Sequence, residues 1–151
     1  MVMEIEVLDA SSRTAQLVSE LVGLWERSVR ASHHFLTDGD IVGLLPFVKQ
    51  GLAEIQVLAV ATDDGRRVGF IGIAERKIEM LFVEPSRIGQ GVGHKLVEWG
   101  IANCGADLID VNEQNQRAMA VYEHWGFRPY QRTEHDDQGN PFPIIKMCLP
   151  H

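Results

Sequence analysis

Three glycines at alternate positions, Gly89, Gly91 and Gly93, stand out in the segment RIGQGVGHKL. A basic residue and an apolar pattern typical of a helix follow them. The free N–H groups in the first turn of a helix attract anions, and glycines remove side chains that would block the approach. The spacing therefore favours a phosphate or pyrophosphate held mainly by backbone amides. A tight turn that binds nothing is the alternative.

Two widespread phosphate-binding motifs do not fit this segment. A Walker A loop needs Gly-Lys-Ser/Thr five residues after its first glycine, where this chain has His94. A dinucleotide-binding loop needs a third glycine, but its place falls on His94 or on Leu96, depending on the glycine from which the count begins.

The elements around the glycines form a regular series. A strand, KIEMLFVEP, precedes them and ends at Pro85, and a helix is predicted from about Gly91 to Cys104. The short strand ADLIDV comes next. Asn115 can then cap a helix that runs to Trp125, with Gly126 just after its end.

The flanking segments complete the fold. We predict a strand in EIEVLDA and a helix over residues 12–31. A second helix is predicted to start after Thr37, with Thr37 or Asp38 as its cap, and to run to about Gly51 through Pro46. Hairpins are predicted at Asp64-Gly65 and around DDQGNP. The order β-α-α-β-β-β-α-β-α-β-β predicts a mixed α/β sheet, antiparallel in its middle, with helices on both faces.

The length, net charge and cysteine spacing of the chain limit the classes of function that it can have. The chain has 151 residues and a net charge of −7, which suits one domain and disfavours nucleic-acid binding. The charge favours a cationic partner such as an amine, or only keeps the protein dispersed. We expect a cytoplasmic protein without a membrane span, and no metal site, since Cys104 and Cys148 lack ligand spacing.

A second motif identifies the family that this chain resembles. The segment VNEQNQRAMAVYEHWGF places Asn115, Ala118, Tyr122, Gly126 and Phe127 in the pattern N-x-x-A-x-x-x-Y-x-x-x-G-F. Together with the glycine segment, in this order, it resembles the GNAT family of N-acetyltransferases. The resemblance is good over residues 57–127, and the segments WERSVRASHHFL and DDQGNPFPIIKM are similar to a bacterial subgroup of small acetyltransferases.

The resemblance implies a GNAT-like fold over residues 1–151, with a sheet that splays apart at a β-bulge, and acetyl-CoA as co-substrate. Backbone amides of the glycine turn would hold the pyrophosphate, and the strand end and Asn115 would bind the pantetheine arm. An amide at the bulge would also polarise the thioester carbonyl. The implied cofactor-binding residues are Leu81, Phe82, Val83, Gly89, Gln90, Gly91, Val92, Gly93, His94 and Asn115.

The chain departs from the family at one position. Ile88 stands where the family usually has Arg or Gln, which removes a charged contact to phosphate unless Arg87, His94 or Lys95 replaces it. The amide cradle does not depend on that side chain.

The resemblance also implies catalytic roles. Tyr122 would protonate the leaving thiolate, and Glu79, Asp110 or His33, or a chain of waters, would take a proton from the amine. By strand alternation we expect Glu79, before the bulge, to share a face with Leu81 and Val83.

Other residues have two interpretations at this stage. Trp25, Ser28 and His33 are candidate substrate contacts, although Trp25 also fits a core position and His33 an exposed loop. Glu79 and Asp110 could equally be solvated acids on strand faces.

We therefore predict an enzyme that transfers acetyl from acetyl-CoA to a primary amine by direct attack in a ternary complex, because no cysteine near the motifs could carry the acyl group. A lysine side chain, a polyamine and an aminoglycoside remain open as acceptors, and a homodimer is one open assembly. The alternatives are a CoA-binding sensor with little turnover and an interaction protein that kept only the fold.

Overall fold

Seven strands and four helices make up residues 3–150, the part of the chain that the computed structural model describes. The strands are β1 (Met3–Val7), β2 (Val57–Asp63), β3 (Arg66–Ala74), β4 (Lys77–Val83), β5 (Leu108–Asn112), β6 (Arg128–Thr133) and β7 (Ile144–Cys148). The helices are α1 (Ala15–Ser32), α2 (Asp38–Glu54), α3 (Val92–Cys104) and α4 (Gln116–His124). Apart from two short 3-10 turns, at Ala10–Ser12 and Pro85–Arg87, this is the predicted order.

All seven strands belong to one sheet, in the order β1-β2-β3-β4-β5-β7-β6. Neighbouring strands are antiparallel except β4 and β5, which run parallel. The prediction of a mixed, mostly antiparallel sheet is confirmed. The parallel pair sits at the centre, and α3 forms the crossover between its two strands.

Strand alternation divides the core between the two faces of the sheet. On β2, Leu58 and Val60 pack with α1 and α2, whereas Ala59 and Ala61 pack on the side of α3. Leu21 of α1 and Leu96 of α3 are fully buried against opposite faces, and such burial contributes about 2 kcal/mol per leucine. Helices therefore cover both faces, as the sequence predicts.

Local sequence patterns determine the start of α2 and the turn between β2 and β3. The hydroxyl of Thr37 accepts the N–H of Asp40, and the carboxylate of Asp40 accepts the N–H of Thr37, which forms a capping box at the start of α2. The turn between β2 and β3 uses Asp64 at φ 51° and Gly65 at φ 77°, the left-handed pair that a two-residue hairpin requires.

Helix α2 continues through Pro46, so its end at Glu54 lies beyond the predicted Gly51. A proline lacks the N–H that would bond the carbonyl four residues earlier, here that of Val42. Both Pro46 and Val42 are exposed, so water can solvate that carbonyl on the outer face of the helix. Of the helices in the described range, none combines the length and apolar character needed to cross a bilayer.

Candidate active site

The central parallel strands separate soon after they begin. β4 and β5 pair only at Lys77–Leu108 and Ile78–Ile109. Beyond this point the edge of β4 that faces β5 has no ladder partner among residues 3–150, and a cleft of about 110 Å³ opens between the two strands. Its walls include Glu79, Asp110, Asn115 and Tyr122. The predicted splay is therefore confirmed, and over Leu81–Val83 it leaves the backbone groups that point away from β3 facing the cleft.

A β-bulge lies at the point of separation. Gly72 pairs with Met80 while the next residue of β3, Ile73, pairs with Ile78, so Glu79 is the extra residue. As a result Ile78 packs in the same cluster as Leu81 and Val83. The expectation that Glu79 precedes the bulge is wrong, because the inserted residue is Glu79 itself. The register from Met80 to Val83 is regular, and Glu79 lines the same cleft as Leu81.

A second cleft, of about 470 Å³, continues from the first. The end of β4, the glycine turn and one side of α4 form its walls. The two clefts share six lining residues: His33, Leu81, Phe82, Asn115, Ala118 and Tyr122. A long ligand could therefore lie along the larger cleft with one end between the separated strands.

The glycine turn has the geometry of an anion site. Gly89 and Gly91 have φ values of +86° and +84°, and a methyl group added at either position would meet open space. Gly91 is the N-cap of α3 and no side chain caps the helix there. The N–H groups of Val92, Gly93 and His94 therefore have no acceptor within the helix. These amides fit a pyrophosphate, and Gln90 is exposed on the same turn.

Trp125 forms part of the same cleft, a role that the sequence analysis missed. Its ring stacks on His94 at 5.1 Å between centroids and 13° between planes. An added Cβ at Gly93 would lie 3.4 Å from this indole, in van der Waals contact, so the ring packs directly on the glycine turn. The place of Trp125 directly before the Gly126-Phe127 pair was the available signal.

Several charged or titratable side chains lie near Ile88 and the glycine turn. Ile88 is exposed and lines the cleft. The guanidinium of Arg87 contacts the carboxylate of Asp63 at 2.5 Å while its side chain also lines the cleft. His94 lies 3.3 Å from Glu98, and Arg117 of α4 lines the opposite wall. The charged and titratable side chains near the glycine turn thus belong to positions other than Ile88.

Asn115 joins the two sides of the site. Its Oδ1 accepts the N–H of Ala118 at 3.1 Å and caps α4, which leaves Nδ2 directed to Nε2 of His33 at 3.4 Å. Ser32 Oγ donates to the Ser28 carbonyl, so it accepts from Nδ1 of His33 at 2.8 Å. This chain of bonds assigns a neutral His33 with its proton on Nδ1. Burial, aided by neighbouring His34, lowers the pKa of His33 and favours the same state.

Tyr122 lies on α4 where both clefts meet. Its ring packs against Trp125 and Phe127, with centroids 5.8 and 6.4 Å away. Desolvation raises the pKa of Tyr122 to about 12, so its hydroxyl keeps its proton at neutral pH. A protonated phenol at this place can serve as a general acid.

Two carboxylates stand at the mouth of the smaller cleft. Asp110 Oδ2 lies 2.7 Å from the ammonium of Lys77, and Glu79 Oε1 lies 3.7 Å from it. Burial raises the pKa of Glu79, Lys77 opposes this rise, and the charges of Asp110 and Asp137 add to it. Both acids were predicted from the sequence, but Lys77 was not, and its K-x-E spacing in a strand was the available local signal.

The substrate-contact candidates on α1 have different positions. Ser28 and His33 line the larger cleft. Trp25 is 5% exposed and packs edge-on against Phe82, with centroids 6.4 Å apart. This is the core position that its periodicity also allowed. Within residues 3–150, no group of three or more His, Cys, Asp or Glu side chains is arranged to hold a metal ion.

Comparisons with known proteins agree with this geometry. Residues 54–129 match the model of the acetyltransferase (GNAT) domain. The chain is 34% identical over 131 residues to the peptidyl-lysine N-acetyltransferase YjaB of Salmonella typhimurium, covering 87% of this chain and 90% of that protein.

Solved structures share the fold. The solution structure of apo YjaB from Escherichia coli superposes with a TM-score of 0.86 at 33% identity, over 99% of this chain and 98% of that one. The PaiA N-acetyltransferase of Thermoplasma acidophilum, solved with coenzyme A, gives a TM-score of 0.70 at 18% identity, over 97% and 98% of the two chains. The chain therefore belongs to the GNAT family and is an N-acetyltransferase that uses acetyl-CoA as its acetyl donor.

Proposed function

We propose that the enzyme acetylates the Nε amine of lysine side chains in proteins. The observation that carries this proposal is the narrow cleft between β4 and β5, which Glu79, Asp110 and Tyr122 line and which meets the larger cleft at Tyr122. A long, thin amine can enter such a cleft. Two relatives at 34% identity are named peptidyl-lysine N-acetyltransferases, which supports this acceptor class.

The donor would lie along the larger cleft. The amides of Val92, Gly93 and His94, with Gly89, Gln90 and Gly91, would hold its pyrophosphate. The free edge of β4 at Leu81, Phe82 and Val83 would bind the pantetheine arm together with Asn115. When bound, acetyl-CoA supplies an acetyl group activated as a thioester.

Side chains of the enzyme would accept the proton of the amine and donate a proton to the leaving thiolate. A lysine ammonium cannot attack until it loses a proton, and Glu79 would accept it, because its raised pKa makes it a better base than an ordinary carboxylate. An amide of the β4 edge would donate to the carbonyl oxygen as negative charge develops there. Tyr122 would donate its phenolic proton to the departing sulfur. Ser28 and His33 would contact the acceptor.

Direct attack in a ternary complex suits this arrangement better than an acyl-enzyme. Cys104 lies at the end of α3 and Cys148 at the end of β7, and neither is among the described residues that line the two clefts. Burial also raises the pKa of Cys104, which keeps it as a thiol. We also propose that residues 1–151 form one domain that acts in the cytoplasm.

An acceptor panel tests the proposed substrate class. Coenzyme A release would be followed with a lysine peptide blocked at its α-amine, the same peptide with arginine for lysine, spermidine and an aminoglycoside. We expect release with the lysine peptide alone, and mass spectrometry should place the acetyl group on Nε. Faster turnover of spermidine or the aminoglycoside would replace the proposed acceptor with a small amine.

A further inference from the structure

Lys77 lies beside both acids of the site, and the mechanism above gives it no role. Its ammonium is 2.7 Å from Asp110 and 3.7 Å from Glu79. The side chains of Lys77 and Asp110 are 22% and 20% exposed, against 37% for Glu79. The lysine and the aspartate therefore form the closer and more sheltered pair, and Glu79 stands at the more open side.

The sheet topology produces this pairing. Lys77 opposes Leu108 at the start of the parallel ladder, and Asp110 follows Leu108 by two residues, so it lies on the same face of β5. The strands part directly afterwards. Lys77 thus lies in the short stretch of β4 that pairs with β5, while Glu79 lies in the bulge where the cleft opens.

Charged and titratable groups reach Glu79 from several elements. Lys77 is on its own strand, Asp110 is on β5, and Asp137, in the segment between β6 and β7, acts on both Lys77 and Glu79. His33 reaches the same cleft from the end of α1. Lys146 of β7 opposes Asp110 in the neighbouring ladder. Lys77 is the cation within 4 Å of both cleft carboxylates among the ion pairs of the described chain.

We propose that Lys77 is a positioning residue for acetyl transfer, whose ammonium holds Asp110 in an ion pair and leaves Glu79 as the carboxylate that receives the acceptor's proton. This inference rests on the proposed function, since it assumes an ammonium acceptor. The proton moves from the acceptor's nitrogen to an oxygen of Glu79, and the freed electron pair becomes the nucleophile. Lys77 exchanges no proton in this step.

The charges around the two acids support different roles for them, with Asp110 in the ion pair and Glu79 as the proton acceptor. A carboxylate that accepts a hydrogen bond from an ammonium at 2.7 Å has one oxygen engaged in that bond and held away from the acceptor amine. Glu79 interacts electrostatically with the same ammonium at the longer distance of 3.7 Å. Burial opposes the charge of Lys77, but the bond to Asp110 and the charges of Glu79 and Asp137 raise its pKa, so it stays an ammonium at the working pH.

The charge of Lys77 acts on the pKa of Glu79. The ammonium of Lys77 favours the ionised form of Glu79 and opposes the rise caused by burial, Asp110 and Asp137. Its removal raises the pKa of Glu79 further. Because a base works only when ionised, the acidic limb of the pH–rate profile should then move to higher pH.

A titration without any substrate tests this directly. Carboxyl carbon NMR on isotope-labelled, cofactor-free protein would follow Glu79, with Glu79→Gln used to assign its signal. We expect the Glu79 titration to move to higher pH in Lys77→Met, and to stay near its wild-type position in Lys77→Arg, which keeps the charge. Lys49→Met, which removes an exposed lysine of α2, is the matched control and should leave Glu79 unchanged. An unmoved Glu79 signal in folded Lys77→Met would overturn the proposal.

Kinetics then test the division between the acids. With a lysine peptide, we expect Glu79→Gln to lower kcat/KM by about 100-fold or more, and Asp110→Asn by at most about tenfold. Lys77→Met should shift the acidic limb upward, whereas a purely structural role would lower kcat at unchanged pH dependence. An equal loss in Asp110→Asn and Glu79→Gln would also overturn the proposal. If the wild-type enzyme acetylated no amine, the proposed function would fail, and the titration would still decide the role of Lys77.

Discussion

Asn115 shows how one residue can serve both fold and chemistry. Its side-chain oxygen caps α4, and its amide nitrogen faces His33 from across the site. The cap was predictable from the sequence, because asparagine before an apolar helical pattern is a common helix start. The contact with His33 was not, since the two residues lie 82 positions apart.

We expect Asn115→Ala to lose both roles. The missing cap should cost about 1 kcal/mol in the free energy of unfolding. The missing side chain should also raise KM for acetyl-CoA, because Asn115 lines the proposed pantetheine path. Urea unfolding and steady-state kinetics measure the two effects separately.

Thr14→Ala is the matched control. Thr14 caps α1 by accepting the N–H of Leu17, as Asn115 does for α4. It should show a similar loss of stability with an unchanged KM. If both variants raised KM equally, the change at Asn115 would reflect the weakened fold rather than a cofactor contact.

Among the elements, the start of α3 forms the proposed donor site. Two glycines with positive φ bring the chain into the helix, and the first-turn amides are left for a ligand. The site depends on backbone conformation, which explains why it can persist with Ile88 at its edge.

Gly91→Ala should therefore weaken coenzyme A binding. Alanine in a left-handed conformation is strained by about 1–2 kcal/mol, and relief of the strain would move the amides. We expect at least an approximately tenfold loss of affinity by calorimetry. Gly105→Ala is the control at the other end of α3, where φ is 63° and an added methyl also meets open space. It should lose similar thermal stability and keep its affinity, and a matching loss of affinity there would refute the local explanation.

Sequence patterns predicted the elements well because their signals are local. The Asp64-Gly65 turn, the Thr37 cap and the glycine turn each depend on a few neighbouring residues. The bulge at Glu79 and the Lys77–Asp110 pair depend instead on how β4 meets β3 and β5, which no local pattern specifies. Trp25 had two valid interpretations because a helix that lines a cleft also has a buried face.

For the whole molecule, the net charge should influence which acceptor peptides the enzyme attracts. The net charge of −7 gives the protein a negative field that attracts cations over a distance of about 10 Å at moderate salt. A lysine flanked by basic residues should therefore be acetylated faster than one flanked by acidic residues.

Salt dependence checks this expectation. We expect kcat/KM for the basic peptide to fall several-fold as NaCl is raised from about 0.05 to 0.5 M, because screening removes the attraction. The acidic peptide should show little change or an increase. Identical salt profiles for the two peptides would mean that the net charge has no part in acceptor recognition.

We propose that acetyl transfer to an amine takes place in this cleft, with Tyr122 as the general acid. The most direct measurement is single-turnover acetyl transfer to a lysine peptide by the wild-type enzyme and by Tyr122→Phe, with coenzyme A affinity measured for both. Phenylalanine keeps the ring that packs against Phe127 and removes only the hydroxyl. We predict equal affinity and a transfer rate lowered about 100-fold in the variant. Equal rates would contradict the acid role, and bound coenzyme A with no transfer by either protein would contradict the proposed reaction.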